Sequence, residues 1–393
     1  MPTNAKPDVE ALLKPLKIGR LTMANRFVMA PLTRCRANTD HVPTADMVKY
    51  YSDRASMGLI LTEATQIQKG YSSFGFEAGI YGPEQIAGWR KVTDAVHAKG
   101  GLIYCQIHNG GRATVPCNVT EGLKVIAPSA IAIEGHDSPA LFAVDGKKQH
   151  YPVPAALTKS EIAEYVQLYA TAAHNAMAAG FDGVEVHGAN GYLIDQFLKT
   201  SSNKRTDEYG GSIENRCRFL FEVVDAVVAK VGHERTGLRI SPLNSYNAQS
   251  DEDPEALTKY ICRELNSRKL AFLDVMRGDL FTPARGADKW ARETYEGVLF
   301  TGMGFEIEEA AQTVASGEAE GVVFGVKAIA NPDLVARVIA GAALNEPDAA
   351  TFYTHDNVGY NDYPTMPRAH HALGGAKASS KEAAKARPAV HKG

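Results

Sequence analysis

Three polar side chains crowd one short stretch, V-E-V-H-G-A-N-G-Y-L-I-D-Q-F-L from Val184 to Leu198. His187 and Asn190 stand three apart, and Tyr192 follows in a turn broken by Gly188 and Gly191. An imidazole and a carboxamide on one side of such a turn offer two neutral hydrogen-bond donors, and the phenol beside them carries a proton. That set suits a reaction that polarises an oxygen and protonates a nearby carbon. The plainer alternative is a histidine that ends a strand and a tyrosine that packs in the core. This stretch alone does not separate the two.

To aim such a turn, a fold needs a rigid strand behind it. The apolar, β-branched run from Gly183 precedes the turn and a helically spaced segment follows from Tyr192, so the turn reads as a strand end and a helix start. The same rhythm recurs along the chain. Strand candidates lie at Arg26 to Leu32, Gly58 to Glu63, Gly101 to Ile107, Gly183 to His187, Gly237 to Ser241, Ala271 to Met276, Gly297 to Thr301 and Gly321 to Phe324. Between them, Thr158-Lys159-Ser160-Glu161 spells a capping box, and Asp253-Pro254 and Asn331-Pro332 each place a cap oxygen before a helix-starting proline. Nearly continuous apolar strands alternating with helices predict a parallel sheet closed into a single (β/α)8 TIM barrel. An open doubly wound sheet is the rival, weakened because no G-x-G-x-x-G follows the first strand.

In such a barrel the chemistry sits just past the strand ends. Those positions are polar here, and Gln106 and Arg239 would cost several kcal/mol if left uncompensated in a buried strand. Either a hydrogen-bonding or anionic cofactor meets them in the mouth, or internal ion pairs do.

The connection at about 113–156, after the third strand, is too long for an ordinary loop and predicts a hairpin cap, with arms near Ile131 to Ile133 and Ala140 to Phe142. The aromatic segment 351–366 is expected to fold over the top. One barrel domain is thus expected over 1–366, and the Ala-, Gly- and Lys-rich stretch 367–393 reads as a disordered basic tail. Apolar residues at 45%, charged residues at 22% and a formal net charge of -3 argue against nucleic-acid or membrane partners. The five cysteines form no Cys-x-x-Cys pair, so neither zinc nor an iron–sulfur cluster is expected. They suit a reducing compartment, and with no secretory leader in view a cytoplasmic location is expected.

With these elements in place, further motifs carry a family likeness. They are A-P-L-T-R at Ala30 to Arg34, the His187 stretch, S-S-N-K-R-T-D-E-Y-G-G-S-I-E-N-R at Ser201 to Arg216, L-R-I-S-P at Leu238 to Pro242, A-N-P-D-L at Ala330 to Leu334, and G-Y-N-D-Y-P-T near the end. In this order the chain resembles the old yellow enzyme family of flavin-dependent ene-reductases over nearly all of 12–366. The wording of Gly325 to Leu334 and Tyr360 to Thr365 is similar to the branch that includes prostaglandin F2α synthases.

The resemblance implies non-covalent FMN at the strand ends. Thr33 would donate to flavin O4, Gln106 would hold the pyrimidine edge, Arg239 would stand near N1 and O2, and backbone groups of Pro31 and Ala64 would complete the ring contacts. Gly302, Met303 and Gly325 would receive the phosphate, with Val326 and Lys327 standing where relatives have arginine. His187 and Asn190 would anchor the substrate oxygen and Tyr192 would protonate the α-carbon. Tyr353 and Tyr246 are candidate walls of the acceptor pocket, Tyr246 more as core packing. His108 replaces the usual tryptophan and should change acceptor preference. The implied activity is ping-pong transfer of a hydride from NADPH or NADH through flavin N5 to an enone or quinone, or to the endoperoxide prostaglandin H2, by a monomer or homodimer. The alternative is another flavin- or phosphate-binding barrel protein, an isomerase, a lyase or a passive flavoprotein. A dienoyl-CoA reductase is set aside by the cysteine spacing.

Overall fold

The computed structural model describes residues 9–367. Eight short parallel strands close into a ring: β1 (Phe27–Met29), β2 (Leu59–Leu61), β3 (Ile103–His108), β4 (Gly183–Gly188), β5 (Thr236–Ile240), β6 (Phe272–Met276), β7 (Leu299–Gly302) and β8 (Gly321–Phe324). Each pairs in parallel with the next in chain order, and β8 returns to pair with β1. All eight strand candidates are therefore strands, and the closed ring excludes the open sheet. Every residue of these strands is buried, which is why the sequence shows apolar runs rather than alternation.

Two apolar layers hold the ring. Inside it, at the end away from the mouth, Tyr104, Phe272 and Phe300 stack with ring centroids 4.8–5.5 Å apart. Ile18 and Met23 join that layer from an antiparallel hairpin, Leu16–Ile18 with Leu21–Met23, which plugs the barrel floor. Outside it, the helices Pro83–His97, Lys159–Ala178, Ile213–Val231 and Pro254–Arg268 lay their apolar stripes on the sheet through residues such as Trp89, Tyr169, Phe219 and Ile261.

The capping box is present: the Thr158 side chain accepts from the Glu161 N–H, and Glu161 accepts from the Thr158 N–H at 2.7 Å. Asp253 caps its helix through Ala256, with Pro254 first. Asn331-Pro332 behaves otherwise. Asn331 ends the short helix Val326–Ala330, and the following helix, Leu334–Ala340, starts after Asp333. The Asn331 side chain instead accepts from the Asn345 N–H and donates to Lys327 O, so a return loop has taken the cap oxygen.

The long connection after β3 does cross the mouth, but not as the expected hairpin. Its ends pair in parallel, Ile126–Ala127 with Ala155–Ala156, and Ala140–Phe142 is a 3-10 turn. One antiparallel bridge, Ser138 with Gln149, is all the hairpin that forms among the described residues. Phe142 turns inward onto Phe74 and Tyr353 rather than lying in a strand face, so aromatic packing has replaced strand pairing. The aromatic segment 351–366 folds over the same mouth. The basic stretch read as disordered lies, after Pro367, outside the described residues.

Candidate active site

β4 delivers the opening stretch to the mouth. His187 is buried at the strand end, and Asn190 takes φ 59°, the left-handed bend that asparagine tolerates, before Gly191 at φ 72°. The bend is pinned by side chains: the Asn190 N–H donates to Ser241 Oγ at 2.7 Å, and Asn247 donates to Asn190 O at 2.9 Å. Asn244 Nδ2 donates to Asn190 Oδ1 at 2.8 Å, which fixes the amide and leaves its nitrogen as the donor end. The rings of His187 and Tyr192 lie 5.4 Å apart, so the structure does bring the three residues together.

Their protonation follows from burial. Desolvation, then the neighbouring His108 and Arg239, hold His187 well below the usual imidazole range, so it is neutral at physiological pH. Desolvation, then Tyr246, Tyr151, Tyr353 and Glu77, push the Tyr192 phenol well above its ordinary value, so it keeps its proton. Around Tyr192 an aromatic wall forms from Phe74, Phe142, Tyr246 and Tyr353. Tyr353 stacks parallel to Phe74 at 6.1 Å, and Tyr246 belongs to this wall rather than to the main core. His108 stands edge-to-face with Tyr192 at 4.8 Å, fully buried, with Glu77 3.6 Å away.

Below the mouth, Gln106 and Arg239 do have internal partners, the alternative raised from the sequence, which left them unidentified. Gln106 Nε2 donates to Glu185 Oε1 at 2.7 Å, and Arg239 pairs with Asp274. The signal was available: Glu185 and Asp274 are lone acids inside apolar strands, and each sits directly across from its partner in register. Burial, then Asp274, pushes Glu185 up to about 8, and burial raises Asp274 against the opposing pull of Arg239. The pairing is incomplete, since Gln106 Oε1, Arg239 Nε and His187 Nδ1 remain buried without a hydrogen bond. Such atoms mark a place where a polar ligand or water completes the network.

A cavity of about 250 Å³ opens beside them, between β8, β1 and the turn after β7. Arg239, Met303, Gly325, Val326 and Lys327 line it, together with Ala30, Leu32, Gly304 and Phe305. Pro31 and Thr33 lie half-buried on the segment leaving β1, Ala64 is buried after β2, and Gly302 ends β7 opposite Val323; these four stand nearby without lining the cavity. Lys327 is turned outward to Glu306 at 2.9 Å. Among the described residues no cluster of His, Cys, Asp and Glu could hold a metal ion, and no helix is long and apolar enough to cross a membrane.

The profile of the NADH:flavin oxidoreductase / NADH oxidase family matches residues 11–345. A probable flavin mononucleotide-dependent alkene reductase of Leishmania infantum is 73% identical over 362 residues, covering 92% of this chain and 99% of that protein. Among solved structures, the old yellow enzyme from Trypanosoma cruzi superposes with a TM-score of 0.89 at 46% identity, over 91% of this chain and all of that one. Morphinone reductase in complex with tetrahydroNAD superposes with a TM-score of 0.85 at 42% identity, over 92% and 99% of the two chains.

Proposed function

From the premise that this chain belongs to the NADH:flavin oxidoreductase / NADH oxidase family, we propose that it is an FMN-dependent alkene reductase of the old yellow enzyme type, reduced by NADPH or NADH. The observation that carries this reading is the convergence at one barrel mouth of a neutral His187, an oriented Asn190 amide and a protonated Tyr192, above buried polar atoms still lacking a partner.

Those unpartnered atoms fit FMN. Gln106 Oε1 is an acceptor and Arg239 Nε a donor, as a flat ring edged with alternating N–H and C=O groups requires. Arg239 would hold the ring's electron-rich end, and Gly304 and Gly325 would leave room for the phosphate at the far end of the cavity. When bound, FMN supplies the two-electron carrier between the nicotinamide and the alkene. The protein residues do the rest. Neutral His187 and the Asn190 amide donate to the carbonyl oxygen of an α,β-unsaturated acceptor, which makes its β-carbon electron-poor. Tyr192 gives its proton to the α-carbon, a transfer its raised affinity for the proton makes costly until charge has built up there. The wall of Phe74, Phe142 and Tyr353 excludes water and favours flat, apolar acceptors.

Quinones fit the same slot, since they need two electrons and two protons. An endoperoxide of the prostaglandin H2 type is a third acceptor class: two electrons and two protons cleave its O–O bond into two of the hydroxyls of prostaglandin F2α. The wording of Gly325 to Leu334 and Tyr360 to Thr365 supports that class.

Anaerobic stopped-flow tests the reading. Protein loaded with FMN is reduced by NADPH and then offered cyclohexenone, a quinone or the endoperoxide. Tyr192→Phe should leave reduction by NADPH nearly intact and slow oxidation by cyclohexenone by about 10²–10⁴-fold. Equal loss in both halves removes Tyr192 from the proton-donor role, and protein whose FMN neither NADPH nor NADH can reduce overturns the enzyme reading.

A further inference from the structure

Three cations surround the turn at Met303 to Phe305, and two of them already have anionic partners. Arg277 donates to Met303 O at 2.9 Å and Gly304 O at 3.1 Å, and its guanidinium is paired with Glu309. Lys327 is paired with Glu306. The guanidinium of Arg285 makes no hydrogen bond or ion pair to a carboxylate among the described residues; Glu309, already paired with Arg277, feels its charge only at longer range. Its Nη1 donates only to backbone carbonyls, of Ala284 at 2.8 Å, Asp279 at 3.1 Å and Thr282 at 3.4 Å.

That seat is shaped for it. The loop after β6 is pinched by a backbone bridge between Gly278 and Arg285. A Cβ at Gly278 would lie 2.6 Å from both Cδ and Nη1 of Arg285, so the glycine makes the channel through which the side chain passes. Arg285 lines a neighbouring cleft with Arg277, Phe305 and Glu309, and its other terminal nitrogen, Nη2, lies 3.9 Å from where a Cβ on Gly304 would project, at the border of the two cavities. Gly304 has φ 71° and lines the cavity that also holds Arg239, Gly325 and Lys327. At the end of β8, the residue after Gly325 is the apolar Val326, so β8 brings no cation of its own to the cavity there.

We infer that Arg285, delivered from the loop after β6, binds the phosphate monoester of FMN. The inference rests on the flavin reading above. A phosphate dianion needs fixed positive charge, and a guanidinium anchored through one terminal nitrogen presents its remaining N–H groups in a rigid fork. Lys327, a point charge diverted by Glu306, is the weaker candidate for the same task.

Riboflavin, which lacks only the phosphate, isolates the interaction. Apoprotein is titrated with FMN and with riboflavin, following the flavin fluorescence. Arg285→Ala should weaken FMN binding by about tenfold or more and leave riboflavin binding unchanged, with Arg285→Lys in between. In the wild-type protein, FMN affinity should fall with added salt and riboflavin affinity should not, a measurement that needs no variant. Unchanged FMN affinity in Arg285→Ala, or equal loss for both flavins, overturns the inference. So does a variant that keeps FMN but loses a preference for NADPH over NADH, which would assign Arg285 to the coenzyme's phosphate. Wild-type protein that binds both flavins equally overturns the role of Arg285 alone, whereas wild-type protein that binds neither overturns the flavin reading with it.

Discussion

Burial decides what each titratable side chain of the mouth can do. His187 and Tyr192 are held in their neutral forms by desolvation first and by neighbours second, which makes one a donor and the other a proton store. The same force acts on Glu185, which shares the barrel interior with Asp274 and one guanidinium. Its pKa is raised from an ordinary carboxylate value of 4.5 to about 8, so the folded state binds the proton more tightly than the unfolded chain does. The stabilisation this brings is complete below the ordinary value and is lost as pH climbs through about 8. Glu185→Gln keeps the hydrogen bond from Gln106 and removes the titration. Its melting temperature should therefore decline less steeply than that of the wild type between about pH 4.5 and 8. Equal slopes for the two proteins would mean that Glu185 is not the protonated member of the group.

Among the elements, the segment after the last helix owes its place to two arginines, Arg34 and Arg36, on the chain leaving β1. Arg36 uses Nε, Nη1 and Nη2 to reach carbonyls of Asp356, Phe352, Thr351 and Val358, and Arg34 reaches Phe352 and Gly359. These bonds carry Tyr353 over the mouth, against Phe74 and Phe142. Arg36→Ala should lower stability by about 2–3 kcal/mol, because several buried carbonyls lose a charged donor. It should also raise KM for bulky acceptors while FMN affinity stays unchanged. Tight acceptor binding in the variant would show that the segment holds without Arg36. The role of these arginines was not legible in the sequence, since their partners lie more than three hundred residues away and backbone carbonyls leave no side-chain signature.

At the scale of the whole molecule, stability and chemistry occupy opposite ends of the barrel. Tyr104, Phe272, Phe300 and the Ile18 hairpin fill the floor, and the polar strand ends face the mouth. Phe272→Ala opens a cavity in the floor and should cost about 3–5 kcal/mol, read as a lower melting temperature. At a temperature where the variant is folded, its rate of alkene reduction per bound FMN should match the wild type. A large loss of rate under those conditions would show that the floor transmits strain to the mouth. Closure itself is secured across the ring's seam by Arg54, whose guanidinium donates to Ala328 O and Ile329 O at 2.8 and 2.6 Å.

The sequence by itself determined the barrel's eight strands and the turn that carries His187, Asn190 and Tyr192, because apolar periodicity and local turn chemistry act over a few neighbouring residues; closure of the ring against the open sheet needed the pairing of β8 with β1. The cap is where local pattern misled: alternation at Ile131 to Ile133 suggested strands, and aromatic packing of Phe142 against Phe74 and Tyr353 overrode it. Only the tertiary structure decided which polar group met which. Gln106 with Glu185 and Arg239 with Asp274 are pairs of adjacent strands, Asn331 gave its cap oxygen to Asn345, and Lys327 turned to Glu306. Long side chains choose among several partners of similar energy, and that choice is settled by the three-dimensional position of every competitor at once.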